Sequence, residues 1–135
     1  MEKLIIEPTL NSPRVILDPV EKQFEFSGES RPENVRNFYM PILEWLERFA
    51  SGYTGQGKPE GETALEFLFN FEYFNSTSAK YILDIFKILH SIHEGGKGIR
   101  VKWHFEEDDE DMYEVGMEMS RMSGLTFEYV EIGVD

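Results

Sequence analysis

The chain has 135 residues, close to one domain's worth on a prior of roughly 100–200 residues each. Its 26 acidic and 13 basic residues give a formal charge of −13, which argues against nucleic acid and anionic membranes as partners, because both need clustered Lys and Arg. At 41% hydrophobic and 14% aromatic it still carries enough apolar material for a core, and its lack of cysteine removes disulfides, thiolate metal sites and cysteine nucleophiles. No apolar run approaches the ~18 residues needed to span a bilayer. The N-terminus alternates charged and apolar residues from Glu2 onward, unlike a signal peptide. The expectation is one acidic, soluble domain over residues 1–135, resident in the cytoplasm.

Leu4-Ile5-Ile6 is the first apolar run and Arg14 to Asp18 the second, with turn chemistry at Pro8, Asn11 and Pro13 between them. Gln23 to Gly28 alternates like a third strand and lies close enough to the second to form a hairpin. Ser30, Pro32 and Glu33 resemble a capping box, so Ser30 to Asn34 reads as a helix entry. Phe38, Ile42, Trp45, Leu46 and Phe49 then recur at helical spacing, and Pro41 either kinks or restarts that helix. Ser51 to Glu62, with four glycines and a proline, reads as a surface loop. Leu65, Phe67, Phe69, Phe71 and Tyr73 alternate with Glu66, Leu68, Asn70 and Glu72, the strongest strand signal in the chain. A helix is expected from about Ser76 to Glu94, striped by Ile82, Ile85, Phe86, Leu89 and Ile92 and ended by Gly95-Gly96. Ile99, Val101, Trp103 and Phe105 make the next alternating strand. Strand, helix, strand from Leu65 to Phe105 predicts a parallel crossover, with Glu66, Asn70 and Glu72 beside Arg100, Lys102 and His104. A third helix from about Asp109 to Met122 and a strand from Leu125 to Ile132 complete an α/β chain.

Three places invite a chemical reading. Six consecutive acids, Glu106 to Asp111, contain hard-cation ligands but lack the alternation, central glycine and distal Glu of an EF-hand loop. Their position at a strand-to-helix junction suits the positive helix end, and a docking patch for a basic partner fits them better than a metal cage. His90 and His93 lie three apart on a helix without a third ligand, and His104 has no nucleophile to serve, so neither a metal centre nor a catalytic triad is expected. A small metal-binding protein or enzyme built on the acidic run and these histidines is the competing reading. The third place is Tyr73-Phe74-Asn75-Ser76-Thr77-Ser78-Ala79-Lys80, which joins the strongest strand to the strongest helix with three consecutive hydroxyls. Asn75 or Ser76 is expected to cap the helix. A phosphate here would gain from the helix N-terminus while adding about −1.5 to −2 charge to an already acidic surface. Such a junction is a natural charge switch for an interface.

From this motif outward the chain resembles the SiaC family of bacterial regulatory phosphoproteins. The resemblance is carried by Ser12-Pro13-Arg14-Val15, Gly28 to Asn34, Phe38 to Leu46, Glu72 to Ser76, Val101 to Phe105 and Glu107 to Met112, in that order. It implies a single STAS-like domain of the anti-sigma factor antagonist (SpoIIAA-like) type, a mixed β-sheet packed with about three helices. It also implies a non-enzymatic switch without a cofactor. In the family a dedicated Ser/Thr kinase phosphorylates the hydroxyl after the junction's Asn, a PP2C-type phosphatase removes the phosphate, and the unmodified form binds and activates a diguanylate cyclase in cyclic-di-GMP signalling. By position the acceptor is Ser76. The family order is Thr then Ser, and the swap here makes Thr77 a rival. The surface expected to meet partners is Tyr73, Asn75, Ser76, Thr77, Ser78 and Lys80, with Asp108 and Asp109 of the acidic run. The Ser51–Glu62 loop is longer than the family pattern, and an anti-sigma factor antagonist using the same switch is the alternative function.

Overall fold

The computed structural model describes residues 1–53 and 64–133. Period-two alternation gives six strands: β1 (Leu4–Ile6), β2 (Arg14–Asp18), β3 (Gln23–Ser30), β4 (Leu65–Phe74), β5 (Ile99–Glu106) and β6 (Phe127–Ile132). The helical stripes give α1 (Val35–Ser51), α2 (Ser76–Glu94) and α3 (Glu110–Ser123). The strands form one mixed sheet in the order β1-β2-β3-β4-β5-β6. The first three are antiparallel, including the expected β2–β3 hairpin, and β3 to β6 are parallel, each step crossing over through one helix. Of the expected Ser51–Glu62 loop, Ser51 closes α1, Gly52 and Tyr53 follow in a turn, and the rest lies outside the described residues.

The helices cover one face of the sheet. Val15, Leu17, Phe24, Phe26, Phe67, Phe69, Phe71, Val101, Trp103 and Phe127 point into that layer and are buried. Against them α1 sets Tyr39, Ile42, Trp45 and Leu46, and α2 sets Ile82, Ile85, Phe86 and Leu89. Aromatic rings interlock at the centre. Phe69 lies 4.9 Å from Phe26, stacked at 2°, and 4.6 Å from Phe86. Such pairs add roughly 0.5–1.5 kcal/mol each beyond the area they bury. The opposite face is polar and open, and charges pair there as the alternation predicts. Lys102 reaches Glu66 at 2.8 Å, while Arg100, in register with Glu66, turns instead to Glu128 on β6 at 2.7 Å.

Two local expectations need correction. Ser30 does not cap α1: β3 runs through it, its side chain is buried, and the cap is Asn34, whose side chain accepts the Asn37 N–H at 3.0 Å. Of the two readings of Pro41 the restart is excluded, since α1 is one helix from Val35 to Ser51 with Pro41 inside it. The missing N–H leaves the Asn37 carbonyl without its helical donor, and Asn37 is exposed, so water can serve it.

Candidate functional site

The three parallel crossovers leave the sheet along one edge. There β3, β4 and β5 end, and each following helix begins on an Asx side chain: Asn34, Asn75 and Asp109 accept the N–H three residues on at 3.0, 2.9 and 3.0 Å. The carboxyl ends of parallel strands are where loops and helix N-termini converge, and ligand and partner sites of α/β sheets concentrate there.

A bulge shapes the central junction. Gly28, at φ +107°, pairs with Phe71, but the next residue Glu29 pairs with Tyr73 and Ser30 with Phe74, so Glu72 is an extra residue on β4. The extra residue reverses the alternation at the end of β4. Tyr73, read from the sequence as a member of the apolar face, is instead turned out and 49% exposed. Phe74 takes the inward place, edge-on to Phe71 at 5.4 Å and to Trp103 at 6.2 Å. The same shift brings Ser30 level with the turn, where its carbonyl accepts the Asn75 N–H at 3.1 Å.

The three junction hydroxyls separate into distinct roles. Ser78 is fully buried: its Oγ donates to the Ser30 carbonyl at 3.0 Å and accepts from Ser30 Oγ at 2.9 Å. With the Ser30 proton so used, the Tyr39 hydroxyl, 2.5 Å from Ser30 Oγ, is the donor in that contact. The relay Tyr39 to Ser30 to Ser78 ties α1, β3 and α2 together beneath the turn. Burial pushes the Tyr39 phenol up to about 12, against the opposing effect of its hydroxyl partners. Ser78, expected among the partner-facing residues, is therefore a structural anchor with no surface to offer. Ser30 and Tyr39 are site residues that the sequence reading missed. Their only signal was a polar residue at an inward strand position and a phenol on a helix's apolar stripe.

Thr77 is exposed, but its Oγ1 donates to the Asn75 cap at 3.0 Å. Ser76 is exposed, and among the described residues its Oγ has no hydrogen-bond partner. As the first residue of α2 it stands over the unpaired N–H groups of the first turn, which contains no acidic side chain. Lys80 is exposed on the next turn, its Nζ 5.6 Å from the Tyr81 ring centre. Asp108 is exposed, whereas Asp109 is committed to capping α3. Asp109 also lines a small groove with Asn70, Phe71, Glu72 and Glu106, which joins the acidic run to the end of β4. His90 pairs with Glu94 at 3.4 Å, and the described residues contain no group of three His, Asp or Glu side chains placed to hold a metal ion. None of their helices is long and apolar enough to cross a membrane.

The family described as SiaC family regulatory phosphoprotein matches residues 6–132. An uncharacterised protein of Pseudomonas aeruginosa strain UCBPP-PA14 is 28% identical over 127 residues, 94% of each chain. The crystal structure of apo-SiaC from Pseudomonas aeruginosa superposes with a TM-score of 0.76 at 26% identity, covering 97% of this chain and 98% of that one. A chain in the crystal structure of the diguanylate cyclase SiaD in complex with its activator SiaC, from the same organism, superposes with a TM-score of 0.81 at 26% identity, covering 96% and 99%. The match runs from the end of β1 to the end of β6, through the bulged strand and the junction it positions, and the chain belongs to the SiaC family of regulatory phosphoproteins.

Proposed function

We propose that this chain is a phosphorylation-controlled protein–protein switch that binds and activates a diguanylate cyclase in its unphosphorylated form. A Ser/Thr kinase and a PP2C-type phosphatase set the modified fraction, and the chain performs no catalysis itself. Family membership and the likeness to an activator solved with its cyclase support the partner class. The observation that carries the switch is Ser76: an exposed, unengaged hydroxyl at the first position of α2, beside a Thr77 whose hydroxyl is occupied by the cap. Ser76 is accordingly the acceptor in this reading.

A phosphoryl group on Ser76 would accept the free N–H groups of the first turn and lie at the positive end of the helix dipole, so the modified domain stays folded. What changes is the surface. A partner that covers the neutral turn, with Tyr73 and Lys80 beside it and Asp108 across the edge, would have to desolvate about two negative charges. Fragment-ion mass spectrometry of the protein purified from its own cells tests the acceptor. A phosphoryl group on Ser76 is expected, and a chain unmodified at Ser76 and Thr77 under every growth condition would end the proposal. In parallel, Ser76→Ala should retain the cyclase in a pull-down and Ser76→Asp should release it.

A further inference from the structure

The outer corner of the same edge holds a pocket of about 420 Å³ with three aromatic walls: Phe105 at the end of β5, Tyr113 on α3 and Tyr129 on β6. Phe105 and Tyr113 have ring centroids 4.9 Å apart at 38°, and Tyr113 and Tyr129 lie 5.2 Å apart at 77°. The ring planes therefore turn around the pocket instead of forming one flat wall, and Tyr113 remains 36% exposed. Carboxylates of Glu107, Asp109, Glu110 and Glu131 rim it. Glu131 is the telling one. Phe127, Tyr129 and Glu131 alternate onto the same, helix-facing side of β6, and Glu131 sits in register with Phe105. The sheet's own packing has no use for a carboxylate beside an aromatic ring on that side. Among the described residues no Lys or Arg pairs with Glu110 or Glu131, whereas Glu66, Glu118 and Glu128 each hold one.

Ring faces and carboxylates favour the same ligand, a cation that can lie against an aromatic plane and donate hydrogen bonds at its edge. A guanidinium does both at once, being planar and weakly hydrated, where an ammonium is compact and strongly hydrated. We infer that this pocket seats an arginine side chain of a protein partner; that the partner is the cyclase rests on the functional reading above. The chain's charge of −13 favours a basic docking element. Asp109 lines both this pocket and the groove that reaches Phe71 and Glu72 on β4, so one partner element lying along the edge meets the acceptor strand and the pocket together.

The first arm of the test needs no cyclase. NMR resonances of the full chain are followed while acetylated, amidated Gly-Arg-Gly is added, with Gly-Gln-Gly as control. The arginine peptide should shift Phe105, Tyr113, Tyr129 and Glu131, the glutamine peptide should not, and Glu131→Gln should weaken the binding about fivefold or more. Absent shifts, or shifts that Glu131→Gln leaves intact, overturn the inference. In the second arm Tyr113→Ser and Glu131→Gln, checked as folded by circular dichroism, should each weaken cyclase binding about fivefold or more, and the double variant should fall short of the product because both touch one side chain. If both variants bind as wild type while Ser76→Asp does not, the pocket is no docking anchor and the functional reading stands. A wild-type chain that holds no cyclase takes down the functional reading, and the partner named here with it.

Discussion

The β4–α2 and β5–α3 junctions use one backbone device and present opposite surfaces. Asn75 and Asp109 each accept the N–H three residues on, at 2.9 and 3.0 Å. Beyond the cap, α3 carries Glu110 and Asp111 in its first turn and α2 carries no acid there. The positive end of α3 thus faces fixed negative charge, and a further anion would meet repulsion. The end of α2 faces neutral hydroxyls, and its charge can still be set from outside. They also differ in how they are held. α3 lies against Trp103 through Gly116, where a Cβ would fall 2.5 Å from the indole, while Trp103 Nε1 donates to the Met112 carbonyl at 3.0 Å. α2 is held by the buried Ser78–Ser30–Tyr39 relay. A junction that is to be switched needs a neutral rim and an anchor beneath it, and of these two only the α2 junction has both.

The largest effect is expected from breaking the α3 anchor. Gly116→Leu should cost about 3 kcal/mol in urea unfolding, the upper part of the overpacking range, because the new side chain meets a buried indole. A loss below about 0.5 kcal/mol would show that close approach to Trp103 is not what seats α3. Breaking the α2 anchor should be milder: Ser78→Ala should cost about 1–2 kcal/mol, since the Ser30 carbonyl keeps the Asn75 N–H. That variant should also loosen the β4–α2 turn, which amide hydrogen exchange at Asn75 to Thr77 would register.

The relay carries a pH signature as well. The Tyr39 phenol is raised from 10.0 to about 12, so the folded state holds that proton more tightly than the unfolded chain. Its contribution is complete below the unfolded value and is lost as pH rises through the folded one, amounting to about 1.3 kcal/mol between pH ~9 and ~11. The stability difference between wild type and Tyr39→Phe should shrink by that amount over the interval, and a constant difference would contradict the buried relay. The smallest expected change is a gain. Ser76→Asp places a carboxylate at the unoccupied end of α2 and should raise stability by about 0.3–1 kcal/mol at low salt. The matching Met122→Glu, at the exposed far end of α3, should lower it.

Elements whose residues follow one period over seven or more positions were legible in advance. The alternation of Leu65 to Phe71 and the stripe of Ile82, Ile85, Phe86, Leu89 and Ile92 predict β4 and α2 within a residue of their ends, because local pattern and tertiary burial agree there. The parallel β4–β5 pairing follows from the crossover rule. What stayed hidden depended on partners distant in sequence. The bulge that turns Tyr73 outward needs β3 beside β4, and no alternation within β4 announces it. Ser30 looks like a helix cap because a Pro and a Glu follow at suitable spacing, yet its true contacts are 9 and 48 residues away. Ser78 looks as accessible as Ser76 and Thr77 until the helix phase and the neighbouring strand place it inside. The junction was found from its residue types, and the sorting of its three hydroxyls required the fold.

The most direct measurement compares the affinity of a diguanylate cyclase from the same organism for the unmodified chain and for the chain carrying phosphoserine at Ser76. At least a ~10-fold weaker complex is expected after modification, equivalent to about 1.4 kcal/mol or more, with the melting temperature unchanged or higher. Equal affinities for the two forms, with both folded, would contradict a switch at this junction.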